Sequence, residues 1–235
     1  TLGRNSISDP IYPTWGSNVE VSVKATMPYS LLRPDDYYED LSIEEQYKWV
    51  EYHKWKFKAE WYTPLSRSGG DNPRTLVLKM AAGVGLIGQY DRGVPLSPFE
   101  RFYMGGVFLS GYTLDGREIL NLRGYDDLSL TAPNPQTCAP VAAKYTAELR
   151  YPISTNPNAT IYTLAFLEGG STWEDARAFN PFQVYRSAGV GLKIFLPMFG
   201  LLGLDYGWRM DDVGAVPGMS KGQFHFSMGM NMGEL

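Results

Sequence analysis

Apolar and polar residues alternate with a period of two through most of this chain. Val19, Val21, Val23, Ala25 and Met27 share one parity, while Asn18, Glu20, Ser22, Lys24 and Thr26 share the other. The next run is sharper: His53, Trp55, Phe57, Ala59 and Trp61 alternate with Lys54, Lys56, Lys58 and Glu60. Successive side chains of an extended strand point to opposite faces, so each run predicts a strand with one apolar and one wet face. A third run sets Leu76, Leu78, Met80, Ala82, Val84 and Leu86 against Lys79, Gly83 and Gly85. The two glycines leave room for something to approach that wall closely. A fourth sets Ala143, Tyr145, Ala147, Leu149 and Tyr151 against Lys144, Thr146, Glu148 and Arg150. The fifth, Thr160 to Thr172, alternates less cleanly and leaves the direction of Glu168 open. In the sixth, Ala188, Val190, Leu192, Ile194 and Leu196 oppose Ser187, Gly189, Gly191 and Lys193. In the seventh, Leu202, Leu204, Tyr206, Trp208 and Met210 oppose Gly203, Asp205, Gly207 and Arg209. The last places Phe224, Phe226, Met228, Met230 and Met232 outward, with Gln223, His225, Ser227, Gly229 and Asn231 inward.

The connections alternate in length. Pro28 to Tyr52 is long, and Ser42 with Glu45 has capping-box spacing that predicts a short helix from Ile43. Pro64 to Pro73 is a short turn, Asp91 to Ala142 a long insertion, and Pro152 to Asn158 a short turn again. Glu174 to Tyr185 is longer, Pro197 to Gly200 tight, and Asp211 to Gly222 a loop. Outer-membrane barrels combine short periplasmic turns with long external loops, so this rhythm predicts one. The predicted wet faces also carry too many Lys, Arg, Glu and Asp residues to fill a dry sandwich core. The expected fold is an all-β transmembrane antiparallel β-barrel, with residues 1–235 supplying about eight of its strands. Thr1 to Thr14 reads as the end of a strand that starts upstream, followed by a Pro-bounded turn.

Composition adds little to this and removes several alternatives. Mean hydropathy is only −0.24 in a chain with 16 Tyr, and no run of about 18 apolar residues is present to form a spanning helix. Barrel strands are only half apolar, so average hydropathy hides them. The net charge of −4 gives no electrostatic case for nucleic acid. The lone Cys138 makes no internal disulfide. His53 and His225 are the two histidines; Ser227 follows His225 by two residues, about 7 Å along one face, too far for a nucleophile–base bond. Asp126-Asp127 and Asp211-Asp212 read as solvated loop carboxylates rather than metal ligands. No catalytic residue, cofactor or metal is expected.

The stretch from Phe99 to Asp127 stands apart: too long for a turn, and too rich in Gly for one strand or helix. Near its end lies Leu122-Arg123-Gly124-Tyr125. A loop rooted outside and folded back into the barrel, with Arg123 as inward anchor, accounts for it. An ordered set of segments then carries a resemblance: ERFYMGG from Glu100, LNLRGYDD from Leu120, AELRYP from Ala147, FLEGGSTW from Phe166, RSAGVGLKIFLPMFGLLGLDYG from Arg186 and GQFHFSMGMNM from Gly222. Together they resemble the BamA family, the outer-membrane protein assembly factors of Gram-negative cells within the superfamily of POTRA-bearing barrels. The resemblance covers nearly the whole chain, and departs at its end, Met232-Gly233-Glu234-Leu235, where family members often finish on an aromatic residue.

The resemblance implies a sixteen-stranded barrel of which this is the C-terminal half, with the POTRA modules and earlier strands upstream. It implies that 91–142 is an external loop folding into the lumen, where Arg123, Gly124 and Tyr125 latch onto Glu148 and Glu168. It implies folding and insertion of other barrel proteins through a lateral seam. Gln223, Phe224, His225, Phe226, Ser227, Met228 and Gly229 would supply one side of that seam, with Gly229 as its weak point. Implied partners are unfolded outer-membrane proteins, accessory subunits of an assembly complex, and outer-membrane lipid with lipopolysaccharide. A secretion or translocation pore of the same superfamily is the alternative.

Overall fold

The computed structural model describes residues 1–30, 42, 51–67, 74–90, 100–106, 118–131, 139–156, 158–213 and 221–229. The helix expected from Ile43, Cys138, and the Met230 to Leu235 end lie outside the described residues. Among the described residues, eleven strands form in chain order: β1 (Leu2–Asn5), β2 (Gly16–Ala25), β3 (His53–Arg67), β4 (Thr75–Gly88), β5 (Phe102–Met104), β6 (Glu118–Leu120), β7 (Val141–Asn156), β8 (Ala159–Trp173), β9 (Tyr185–Leu196), β10 (Gly200–Arg209) and β11 (Gly222–Met228). Nine make one sheet in the order β1-β2-β3-β4-β7-β8-β9-β10-β11, and every neighbouring pair is antiparallel. The sheet is an up-and-down meander in which the chain's own order sets the neighbours. The short β5 and β6 pair in parallel with each other and interrupt the meander between β4 and β7.

Alternation becomes two faces. One side exposes Val21, Val23, Trp55, Phe57, Trp61, Met80, Leu149, Leu167, Val190, Tyr206, Trp208, Phe224, Phe226 and Met228. So broad an apolar surface is a liability in water and the expected exterior of a barrel in lipid. The opposite face buries Lys54, Glu60, Lys79, Glu148, Arg150, Glu168, Lys193, Asp205 and His225. On β8, Phe166 and Glu168 are both buried while Leu167 between them is 59% exposed, which settles the direction of Glu168 as inward.

Two expected turns are corrected. Pro64 does not end its strand: β3 continues to Arg67, with a bulge between Pro64 and Ser66. Pro152 likewise lies inside β7, which continues to Asn156 past a bulge between Pro152 and Ser154. A proline has no N–H for the ladder, and a bulge removes the requirement locally. Both bulges lie towards the short-turn end, so these two hairpins are longer than the prolines suggest. The insertion is shorter at its far end, because β7 begins at Val141. Met228 closes β11, and Gly229 follows it at φ +121° instead of lying within the strand.

The β1–β2 connection folds across the inward face. Tyr12 donates its hydroxyl to Thr75 O at 2.9 Å and Arg150 O at 3.1 Å. It packs with Tyr62, Val77, Tyr162, Leu164 and Phe166 in an apolar cluster.

Candidate functional site: the loop on the inward face

The insertion supplies the elements that reach the charged inward wall. β5 and β6 form its stem, paired Phe102 to Glu118, Tyr103 to Ile119 and Met104 to Leu120. The Gly105 N–H donates to Leu120 O, and the Leu122 N–H to Gly106 O, so the stem hydrogen bonding runs up to the tip. Phe102, Met104, Leu120, Leu122, Tyr125 and Leu130 pack with Tyr52, Ile87 and Ala142 of the wall in one apolar cluster. Burial of this many large side chains makes the loop a packed layer on the sheet. The wall is shaped to receive it: a Cβ on Gly85 would meet the Phe102 ring at 2.3 Å, and one on Gly170 would meet Met104 Sδ at 3.0 Å.

At the tip, Gly124 adopts φ +89°, in the region that side-chain-bearing residues avoid. The turn presents Arg123 to the wall. One guanidinium nitrogen, Nη2, donates to Glu148 Oε1 and to Glu168 Oε1, each at 2.7 Å. Nη1 lies 3.4 Å from Asp205 Oδ1. The Arg123 backbone N–H donates to Glu168 Oε2 at 3.0 Å, so both oxygens of that carboxylate are held by one residue. The guanidinium carbon lies 3.6 Å from the centroid of the Phe166 ring, a stacked geometry that a lysine ammonium does not reproduce. Burial works against the charge of Arg123, but Glu168, Glu148 and Asp205 outweigh it and raise its pKa above the usual arginine value.

The sequence pattern of the Omp85 superfamily domain matches residues 1–232. The chain belongs to the Omp85 superfamily. Among solved structures, it resembles BamA from Haemophilus ducreyi lacking POTRA domains 1-3, with a TM-score of 0.59 and 18% sequence identity. At that identity the likeness establishes the fold alone, part of an antiparallel β-barrel. It covers 95% of this chain and 40% of the other, so this chain spans less than half the length of its structural relative. No curated protein matches it significantly.

The wall of this Omp85 chain is nearly neutral before Arg123 arrives. Glu148 Oε2 accepts from Arg150 Nε and Nη2, at 2.8 and 2.5 Å. Glu168 has Lys144 at 3.5 Å, and Asp205 has Lys193 at 2.6 Å. Each of the three carboxylates therefore has a basic wall partner of its own, and Arg123 joins as a fourth cation.

The tip also reaches the last strand. The Gly124 N–H donates to His225 Nε2 at 2.8 Å, which makes that imidazole the neutral tautomer with its proton on Nδ1. Gln223 donates to Asp126. Tyr125 donates its hydroxyl to Arg186 O at 2.7 Å, and burial pushes its pKa up to about 12. Arg186 in turn binds Asp211 through Nη2 at 2.7 Å and Nε at 3.0 Å.

The structure brings Arg123 together with Glu148 and Glu168, while Gly124 bonds His225 and Tyr125 bonds the Arg186 backbone. Of the β11 residues, Gln223 and His225 meet the tip, and Ser227 is buried on the same face. Phe224, Phe226 and Met228 face outward, and Gly229 lies beyond the strand. Sequence reasoning missed Asp205 and Phe166 as Arg123 partners and His225 as the acceptor for Gly124. Parity placed Asp205 and His225 inward, but parity does not give the height at which a residue meets the loop.

Proposed function

We propose that this chain is the C-terminal half of the barrel of an outer-membrane protein assembly factor, which folds and inserts other β-barrel proteins at a seam bordered by β11. The observation that carries the reading is the family match over 1–232, taken with a loop tip seated on both the wall carboxylates and β11. In this reading Arg123, Gly124, Tyr125, Glu148 and Glu168 form the latch of a lumen loop, and Gln223 to Gly229 form one side of the seam.

β11 suits the part. Among the described residues it has seven residues against ten in β10 and twelve in β9, and its pairing there is with β10. A strand edge offers main-chain donors and acceptors to an incoming strand whatever its side chains, so one edge can serve many clients. The driving force is the client's own: in hydrocarbon every backbone polar group must be paired, and barrel closure achieves that. The partners are unfolded outer-membrane proteins, accessory subunits, and the outer membrane's lipid and lipopolysaccharide.

Depletion of the full-length protein in its native cell tests this. Assembly predicts that unrelated barrel proteins fall together in the outer membrane. If their levels hold while a single exported substrate fails, the translocation-pore reading replaces it.

A further inference from the structure

The root of the loop carries a second set of contacts, opposite in polarity to the first. Here the wall is basic and the loop acidic. Lys54 Nζ donates to the Glu100 backbone oxygen at 2.8 Å and lies 3.4 Å from Glu100 Oε2 and 2.5 Å from Glu118 Oε2. Lys56 Nζ lies 3.0 Å from Glu118 Oε1, and Lys24 pairs with Glu100. Tyr52 donates its hydroxyl to Glu100 Oε1 at 3.0 Å. The Lys54 ammonium stands 4.7 Å from the centroid of the Phe102 ring, the same ring that fills the space over Gly85. The Lys54 side chain is only 5% exposed.

The charge logic of the two ends differs. At the tip each wall carboxylate has a basic wall neighbour. At the root Lys24 and Lys54 are direct cross-strand partners and Lys56 follows on β3. Every ion pair these three lysines make among the described residues goes to Glu100 or Glu118. Like charges facing one another across strands are destabilising. The loop's carboxylates supply the neutralisation, so this wall favours the docked loop.

We propose that the loop is a strut clamped at both ends, and that Lys54, with Glu100 and Glu118, is a positioning residue that holds the tip against β11. The stem joins the ends rigidly: Glu118 begins β6, and Arg123 follows its last residue by three positions, through the Leu122 to Gly106 hydrogen bond. Slack at the root displaces the tip. The strut stands whether the barrel assembles clients or conducts a substrate.

The test uses the full-length protein in native outer membrane, with Cys138→Ser, Asp126→Cys and Gln223→Cys, so that disulfide formation reports contact between tip and β11. Only the heat-modifiable, folded band is scored. Lys54→Gln is expected to slow trapping at least about fivefold, which is about 1 kcal/mol of docking free energy, and Lys54→Arg to preserve it. Glu100→Gln with Glu118→Gln should slow it at least as much, because Lys24, Tyr52 and Lys56 lose their partners too, and adding Lys54→Gln to that pair should slow it little further, because the Lys54 contacts are removed only once. Unchanged trapping in Lys54→Gln, or effects that add independently in the triple variant, overturns the proposal. If Lys54→Gln yields no folded band, the loop-side pair decides alone: slowed trapping supports the strut and unchanged trapping refutes it.

Discussion

Gly207→Ala separates two views of the inward glycines by the sign of its effect. Alanine in place of a strand glycine ordinarily stabilises, by about 0.5–1 kcal/mol, through the entropy of the unfolded chain. Here a Cβ would meet Gly124 N at 2.6 Å, Gly124 Cα at 2.9 Å and Arg123 C at 3.0 Å. Those atoms are loop backbone, with no side-chain torsion to absorb the contact. To reach ordinary van der Waals separation the tip must withdraw by roughly 0.8 Å. The Gly124 N–H bond to His225, at 2.8 Å, and the Arg123 N–H bond to Glu168, at 3.0 Å, are then stretched beyond hydrogen-bonding range. Overpacking of this kind costs about 1–3 kcal/mol, and each lost bond adds about 1 kcal/mol. After the alanine gain is subtracted, docking weakens by about 2–4.5 kcal/mol, enough to raise the undocked population about thirtyfold at the low end of that range. Trypsin cleavage after Arg123, which is 6% exposed when docked, reports that population in the folded full-length protein. Faster cleavage with the barrel still folded is the expected result. If Gly207→Ala is cleaved no faster than the parent, the close approach of tip to wall is refuted.

Arg123→Ala should leave a folded barrel with an undocked loop, because Glu148, Glu168 and Asp205 keep Arg150, Lys144 and Lys193; a cost below the ~3–5 kcal/mol of a wholly broken buried pair is expected from the midpoint of the heat-induced mobility shift. Arg123→Lys should fall between, since one ammonium does not reproduce the stacked, forked contacts. Tyr125→Phe removes the 2.7 Å bond to Arg186 O and should cost about 0.5–1.5 kcal/mol in the same assay. Burial raises the Glu100 pKa, but hydrogen bonds from Lys24 and Tyr52 and the charge of Lys54 outweigh it and hold the carboxyl below its ordinary 4.5. Its contribution is therefore complete above that value and lost as pH falls through the lower folded one. Tip-to-β11 trapping, read with a pH-independent oxidant, should be flat at neutral pH, drop on acidification below 4.5, and lose that drop in Glu100→Gln.

Local pattern made the wall legible and left the loop's contacts mostly hidden. Period-two alternation is a property of each strand alone, so it placed Lys54, Glu148, Asp205 and His225 inward without knowledge of their neighbours. Height along the barrel axis is different. It depends on register and stagger summed across strands, which no single segment encodes. Hence Asp205 was visible as an inward acid but not as a partner of Arg123, 82 residues away. The prolines misled for a simpler reason. Pro64 and Pro152 read as strand ends because they lack a donor, and only the bulges beside them show how the ladder continues. The pairing of Arg123 with Glu148 and Glu168 came from the resemblance and not from spacing. Glu100 and Glu118, flanking the same motif, carried no sequence signal that distinguished them from solvated loop acids.

The inward glycines argue for a loop that resides on the wall permanently. Gly85 and Gly170 seat side chains of the stem, and Gly207 seats the backbone of the tip. Gly189 makes room for Phe166, whose ring underlies the Arg123 guanidinium, and Gly191 makes room for Asp205. Each such glycine weakens its strand by about 0.5–1 kcal/mol relative to alanine. A wall facing only water has no reason to carry five, because an alanine methyl on an open lumen meets nothing. The stabilisation that offsets them must come from what occupies the seats: the rings and methionine of the stem, the stacked guanidinium and the tip backbone. A plug that leaves with every cycle recovers that stabilisation only part of the time. The wall is therefore shaped for a resident strut, and among the described residues of β11 it is Gln223 and His225 that hold the tip.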